Sequence, residues 1–154
     1  MKSVFVFLFL WFTIHCTNIK AQELNPDFNK ALADSLGADE NGMKSYVIVI
    51  LKTGSKIIEN KDERAQIFKG HMDNIKRLVN EGKLVVAGPF GKNDLTYRGL
   101  FILNVKTTEE AKIICDTDPA VKAGIFDVDL IPWYGSAALG EYIDISKKIT
   151  RFKI

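Results

Sequence analysis

Between Lys44 and Tyr134 the chain alternates short β-branched runs with stretches of helical period, and that alternation sets the expected elements. The run "YVIVIL", Tyr46 to Leu51, is apolar at both parities and bounded by Gly54, the pattern of a strand that pairs centrally or is covered on both faces. From about Asp62 to Glu81, apolar residues return every three or four positions, which predicts an amphipathic helix stopped by Gly82 at its C′ position. "KLVVAGPF" reads as a short strand closed by Gly88-Pro89, and "RGLFILNV" as a third strand after a polar loop. Thr107-Thr108-Glu109-Glu110 has the spacing of a capping box, so a second helix starts there and runs to about Cys115. Asp118-Pro119 opens one more short turn of helix, ending near Gly124. In "IFDVDLIPWY", Phe126, Val128 and Leu130 alternate with Asp127 and Asp129, the mark of a strand with one buried face.

The order β-α-β-β-α-β over about 90 residues is a split βαβ arrangement of ferredoxin-like type. It is an α+β fold in which two helices cover one face of a four-stranded antiparallel sheet. A domain of this size buries only about 60 to 65% of its unfolded surface, and the strands carry apolar side chains at both parities. The second sheet face therefore lacks a cover, and face-to-face pairing of two sheets into a homodimer is expected. On either side lie residues 22–43, a linker with or without a short helix over Asn29 to Leu36, and residues 136–154, a C-terminal extension. Ile143, Ile145 and Ile149 alternate in that extension, so it reads either as an edge strand or arm over the partner, or as a loose basic tail.

The first residues have the features of an export signal: Lys2, an apolar run from Val4 to Ile14, and cleavage after Ala21, giving residues 1–21 as a signal peptide. The run is about 11 residues, against the roughly 20 that a bilayer span needs, so no membrane span is expected after cleavage. The mature chain is then periplasmic or secreted. A lipidated Cys16 is the weaker alternative, because His15 is larger than the small residue wanted at that cut. Removing Lys2 and Lys20 from the 21 basic side chains leaves 19, against 19 acidic ones. A formally neutral chain argues against a nucleic-acid partner, which favours a clustered positive excess. One histidine, His71, and one cysteine, Cys115, remain of the two of each in the full chain. An intrachain disulfide is impossible, and a structural zinc site, which usually takes four such ligands, is hard to assemble. No G-x-S-x-G elbow is present. Neither a metal nor a cofactor is expected.

The lone histidine sits in an odd place. Ile67, His71, Ile75 and Leu78 share one helical stripe, the one that should pack on a core. An imidazole there is either sealed in grease by one hydrogen bond to a backbone carbonyl or held by a carboxylate to exchange protons near neutral pH. Asp118, before Pro119, is an excellent N-cap, and that role alone can explain it; one oxygen can cap while the other faces a cleft. Gly88 and Gly99 suggest close backbone approach or positive φ at strand ends. Trp133 and Tyr134 end the last strand, where they line a pocket or a dimer seam, or simply pack. Cys115 reads as a small buried hydrophobe. Asp73 points away from the His71 stripe and is left solvated.

The succession "YVIVILK", "HMDNIKRLVNEGKLVVAGPF", "GLFILNVKTTEEAKIICDTDPAVKAGIFDVDLIPWY" resembles the YCII-related domain family over roughly residues 44–135. The resemblance is carried by His71 and its following helix, by Glu81-Gly82 leading into Ala87-Gly88-Pro89, and by Asp118-Pro119 followed by Ala123-Gly124. It implies a ferredoxin-like monomer pairing as a dimeric α+β barrel, with His71 and Asp118 as an acid-base pair and a cleft passing near Gly88 and Pro89; Trp133 is the further candidate for the ligand site. Family members include a dehydrochlorinase acting on a chlorinated hydroquinone, so the implied activity is isomerisation or elimination on a small molecule. A non-catalytic ligand-binding or structural module is the other reading. The chain departs from the family pattern where an arginine often precedes the histidine by a turn: Phe68 and Lys69 stand there, and Arg64 lies two turns back.

Overall fold

The computed structural model describes residues 24–151. The signal peptide expected over residues 1–21, with Cys16, lies outside them. Strand β1 (Met43–Thr53) is central, with β3 (Tyr97–Leu103) on one side and β4 (Phe126–Ser136) on the other; β2 (Leu84–Pro89) adds to β3, giving the antiparallel order β2-β3-β1-β4. Helix α2 (Lys61–Asn80) connects β1 to β2, and α3 (Thr108–Cys115) with α4 (Pro119–Lys122) connects β3 to β4. The helix α1 (Lys30–Leu36) precedes the sheet, so the expected linker does carry a short helix, capped by Asn29. The four-stranded α+β arrangement is the one its pattern predicts.

Local chemistry explains the borders. The Asn60 side chain accepts from the Asp62 and Glu63 N–H groups, at 2.9 and 3.1 Å, and so satisfies the first free donors of α2. At the other end Gly82, at φ 67°, lets Lys83 N–H reach the Leu78 carbonyl at 2.9 Å, a Schellman closure. Thr107 caps α3 through Glu110 N–H at 3.2 Å, but the Glu110 carboxylate accepts from Lys106 N–H at 3.0 Å, one residue earlier than the expected capping box.

Strand alternation then sorts the sheet into two faces. Val47, Val49, Leu51, Phe101 and Leu103 point to the helices and pack with Leu78, Ala111, Ile114 and Cys115; Phe126, Val128 and Leu130 join from β4. The opposite face holds Tyr46, Val85 and Ile102, with Ile48, Val86, Leu100 and Trp133 against them. Ile131, directly across from Ile48, is 48% exposed there.

The extension is neither an edge strand nor a loose tail. Over the described residues it forms a 3₁₀ turn, Ala137–Glu141, and a helix α5 (Tyr142–Ile149). Ile145 and Ile149, read as strand-like by their odd spacing, stand four apart on one exposed helical face with Tyr142 a turn before. The Tyr142 hydroxyl donates to the Val85 carbonyl at 2.7 Å and moors α5 beside β2. Among the described residues no helix is long and apolar enough to cross a membrane.

Candidate functional site

Two short-range features bring α2 and α4 together. Gly70 presents no side chain toward α4: a Cβ built on it would lie 2.9 Å from Pro119 Cγ, so the glycine permits the close approach. Asp118 caps α4 with one oxygen, Oδ1 accepting from Ala120 N–H at 2.8 Å. Its other oxygen, Oδ2, is thereby directed at α2, where it meets His71 Nδ1 at 2.7 Å and Asn74 Nδ2 at 3.3 Å. Both members are buried, His71 to 8% exposure and Asp118 to 1%. The two readings of Asp118, cap and partner of the histidine, thus hold at once.

The carboxylate is kept charged. Burial alone would raise the Asp118 pKa, but the His71 hydrogen bond and charge, the Ala120 N–H and the Asn74 amide together lower it below its ordinary value of 3.8. An ionised carboxylate only accepts hydrogen bonds, so Nδ1 carries a proton, and in the uncharged form of the ring the lone pair is at Nε2. Nε2 has no hydrogen-bond partner among the described residues, and none of their buried side-chain nitrogens or oxygens lacks one. Nε2 therefore reaches open space, and His71 lines a cavity of about 1550 Å³.

Three phenylalanines wall the imidazole. Phe101 stacks on it at 6.0 Å between ring centroids, while Phe126 and Phe68 approach edge-on at 5.4 and 6.4 Å. Behind the pair, Arg77 Nη2 donates to Asn74 Oδ1 at 2.7 Å and to Thr117 Oγ1 at 2.9 Å, fixing the Asn74 amide so that its NH₂ faces Asp118. Glu81 in turn accepts from Arg77 Nη1 at 2.7 Å. The result is one continuous polar chain from the surface to the imidazole.

Gly88 and Pro89 line the same cavity as His71. Gly88 has open space where a Cβ would be; the close backbone approach belongs to Gly99, whose Cβ would meet the Gly88 carbonyl oxygen at 3.1 Å. Trp133 is not brought to the cavity. It stands on the opposite sheet face, its ring 5.6 Å from that of Tyr46, because β4 turns every second residue away from the helices. Cys115 is buried, and burial first, then the charges of Asp118 and Asp116, pushes its thiol up to about 12, which rules it out as a thiolate nucleophile. Asp73 is exposed and pairs with Lys69 at 2.6 Å. Among the described residues no cluster of three histidine, cysteine or acidic side chains is placed to hold a metal ion.

Sequence reasoning missed Asn74, Arg77, Thr117 and the phenylalanine walls. Asn74 lies three residues after His71 and four before Leu78, so helical period alone marks it as a second polar group on the buried stripe.

Two helices on a four-stranded antiparallel sheet, with a buried histidine-aspartate pair beside a cavity, define a ferredoxin-like α+β domain. The YCII-related domain family model matches residues 44–134, and the chain belongs to that family. Comparison with curated proteins finds no match. Among solved structures the chain is similar to the 5-chloro-2-hydroxyhydroquinone dehydrochlorinase of Burkholderia phenoliruptrix AC1100, solved with 2,5-dihydroxybenzoquinone, at 20% identity over 56% of this chain and 90% of that one, TM-score 0.38. It is also similar to a dimeric protein of unknown function and ferredoxin-like fold from Bacteroides fragilis NCTC 9343, at 14% identity over 60% of this chain and 95% of that one, TM-score 0.37.

Proposed function

We propose that the mature chain is an exported, homodimeric acid-base enzyme that moves protons on a small organic molecule without a cofactor. The observation that carries this reading is the 2.7 Å contact between His71 Nδ1 and Asp118 Oδ2, which leaves Nε2 without a partner among the described residues on a side chain that lines the cavity. Nε2 takes a proton from a substrate carbon activated by a neighbouring carbonyl or phenol, and Asp118 stabilises the imidazolium that forms. Two outcomes balance. The imidazolium returns the proton to a different carbon, which is isomerisation, or the substrate carbanion expels a leaving group as its anion while the imidazolium gives its proton to that anion or to water, which is elimination. The phenylalanine rings lower the polarity around the imidazole, which strengthens its electrostatics.

The homodimer is supported by the incompletely covered second sheet face, where Ile48 and Leu100 are half-buried and Ile131 is exposed. A second reading, a ligand-binding or structural module without turnover, is favoured by one observation: the same pair ties α2 to α4, so it has a use in the fold alone.

Titration of the His71 ring by ¹⁵N NMR, with and without Asp118→Asn, separates the two, together with mass spectrometry of a metabolite mixture incubated with the mature protein. Conversion of a metabolite that disappears in His71→Asn supports the enzyme. A ring that titrates like a free imidazole and ignores the Asp118 change eliminates the acid-base pair.

A further inference from the structure

We infer that the cavity beside His71 takes an organic anion, an apolar body that carries one carboxylate or a comparable negative group. This rests on reading the cavity as the substrate site, and it comes from the distribution of charge over its walls. Six basic residues line it, Lys56, Arg64, Lys76, Arg98, Lys147 and Arg151, and no aspartate or glutamate does. Composition does not produce that segregation, because the chain beyond residue 21 holds 19 basic and 19 acidic side chains. Asp118 itself stays behind the imidazole and does not reach the lining. Of the six cations, only Lys147 is ion-paired among the described residues, to Asp144 on its own helix at 3.0 Å.

Three of them come from separate segments to one end of the sheet. Arg98 Nε donates to Thr53 Oγ1, at the end of β1, at 2.6 Å. Lys56 N–H donates to the Gly124 carbonyl at 3.0 Å, and its side chain lies over that glycine, where a Cβ would be only 2.7 Å from Lys56 Cγ. Arg64 stands on the α2 stripe that continues through Phe68 to His71, seven residues on, which is about 10 Å of helix at 1.5 Å per residue. An anion held by Lys56, Arg64 and Arg98 therefore lays its apolar part along Phe68 and Phe126 and brings a carbon under Nε2. Unpaired cations beside a low-dielectric wall focus the field into the cavity and attract such a molecule. The same field favours the negative charge that appears on the substrate as Nε2 removes its proton.

The test uses the mature full-length chain, with the fluorescence of bound 1-anilinonaphthalene-8-sulfonate as reporter and sodium decanoate or 1-decanol as competitor. Decanoate is expected to displace the dye at a concentration at least tenfold below that of decanol, with the gap narrowing as salt rises. Arg64→Gln and Lys56→Gln, both at exposed positions, are each expected to weaken decanoate about tenfold, the scale of one charge-assisted contact, and to leave decanol unchanged. Equal displacement by acid and alcohol, or equal loss of both competitors in the two variants, overturns the inference. His71→Asn is expected to keep the preference for the acid, because the ring supplies proton transfer and not charge. Intact acid preference in a protein whose His71 fails the titration test overturns the proposed chemistry while this inference stands.

Discussion

Replacing Gly70 by alanine sets two physical effects against each other on one carbon atom. In an unobstructed helix the change is favourable by about 1 kcal/mol, because glycine loses more backbone freedom on folding than alanine. Here the new Cβ would lie 2.9 Å from Pro119 Cγ and 3.3 Å from Pro119 Cβ. Carbon atoms rest at about 3.5 to 4.0 Å, so α2 and α4 must separate by roughly 0.6 Å. The neighbour is a pyrrolidine ring and cannot swing aside. Asp118 moves with Pro119, and its 2.7 Å contact with His71 stretches toward about 3.3 Å, the outer limit of a useful hydrogen bond. Overpacking costs about 1 to 3 kcal/mol, and the weakened charge-assisted bond adds to that, so the expected balance is a loss of about 1 to 2 kcal/mol. Urea unfolding followed by tryptophan fluorescence measures the stability, and ¹⁵N NMR measures the proton on His71 Nδ1. A variant more stable than the wild type, with an unchanged Nδ1 resonance, would refute the claim that Gly70 sets the spacing of His71 and Asp118.

Asp118→Asn keeps a capping oxygen for Ala120 N–H but sets an NH₂ group or a neutral oxygen against His71 and Asn74. A stability loss of about 3 kcal/mol and a shift of the ring proton toward Nε2 are expected, read by unfolding and ¹⁵N NMR. Because the folded Asp118 pKa lies below 3.8, its contribution is present above that pH and lost as pH falls through the lowered value. Wild-type stability should therefore drop more steeply than that of Asp118→Asn as pH falls below 3.8. Cys115 acts in the opposite direction. With its thiol held up to about 12 in the fold and free to ionise near 9 when unfolded, stability should fall by about 1.4 kcal/mol per pH unit from 9 upward, and Cys115→Ala should remove that slope. Ile131→Lys puts a charge at the centre of the second sheet face and is expected to convert the proposed dimer to a folded monomer in light scattering. An unchanged mass would place the dimer interface elsewhere. Asn60→Ala removes the α2 cap and should cost about 1 kcal/mol in thermal or urea unfolding.

What could be read from the residues was mostly local. The start and stop of α2, the Thr107 cap and the Asp118-Pro119 turn depend on neighbours within four positions, and each is visible as a spacing. The pairing of His71 with Asp118 crosses 47 positions and rested on family resemblance, since nothing in either segment names the other. Trp133 is a different failure, because the information was present. Phe126, Val128 and Leu130 point inward, so period two already sends Trp133 outward with Asp127 and Asp129. The extension misleads for a physical reason: isoleucines spaced by two suit a strand, and its helix is decided by the anchor from Tyr142 to Val85, a contact across 57 positions. The positive cavity could not be read at all, since its cations come from four separate segments.

Asp118 serves two masters with its two oxygens, one holding the first turn of α4 and the other holding the imidazole. A related chain without the proposed proton transfer would still need the first, and would keep the aspartate to cap that turn. Among related chains, then, finding that aspartate says little about activity. The ring at position 71 is the more informative of the two, because it ties α2 to α4 but caps neither helix.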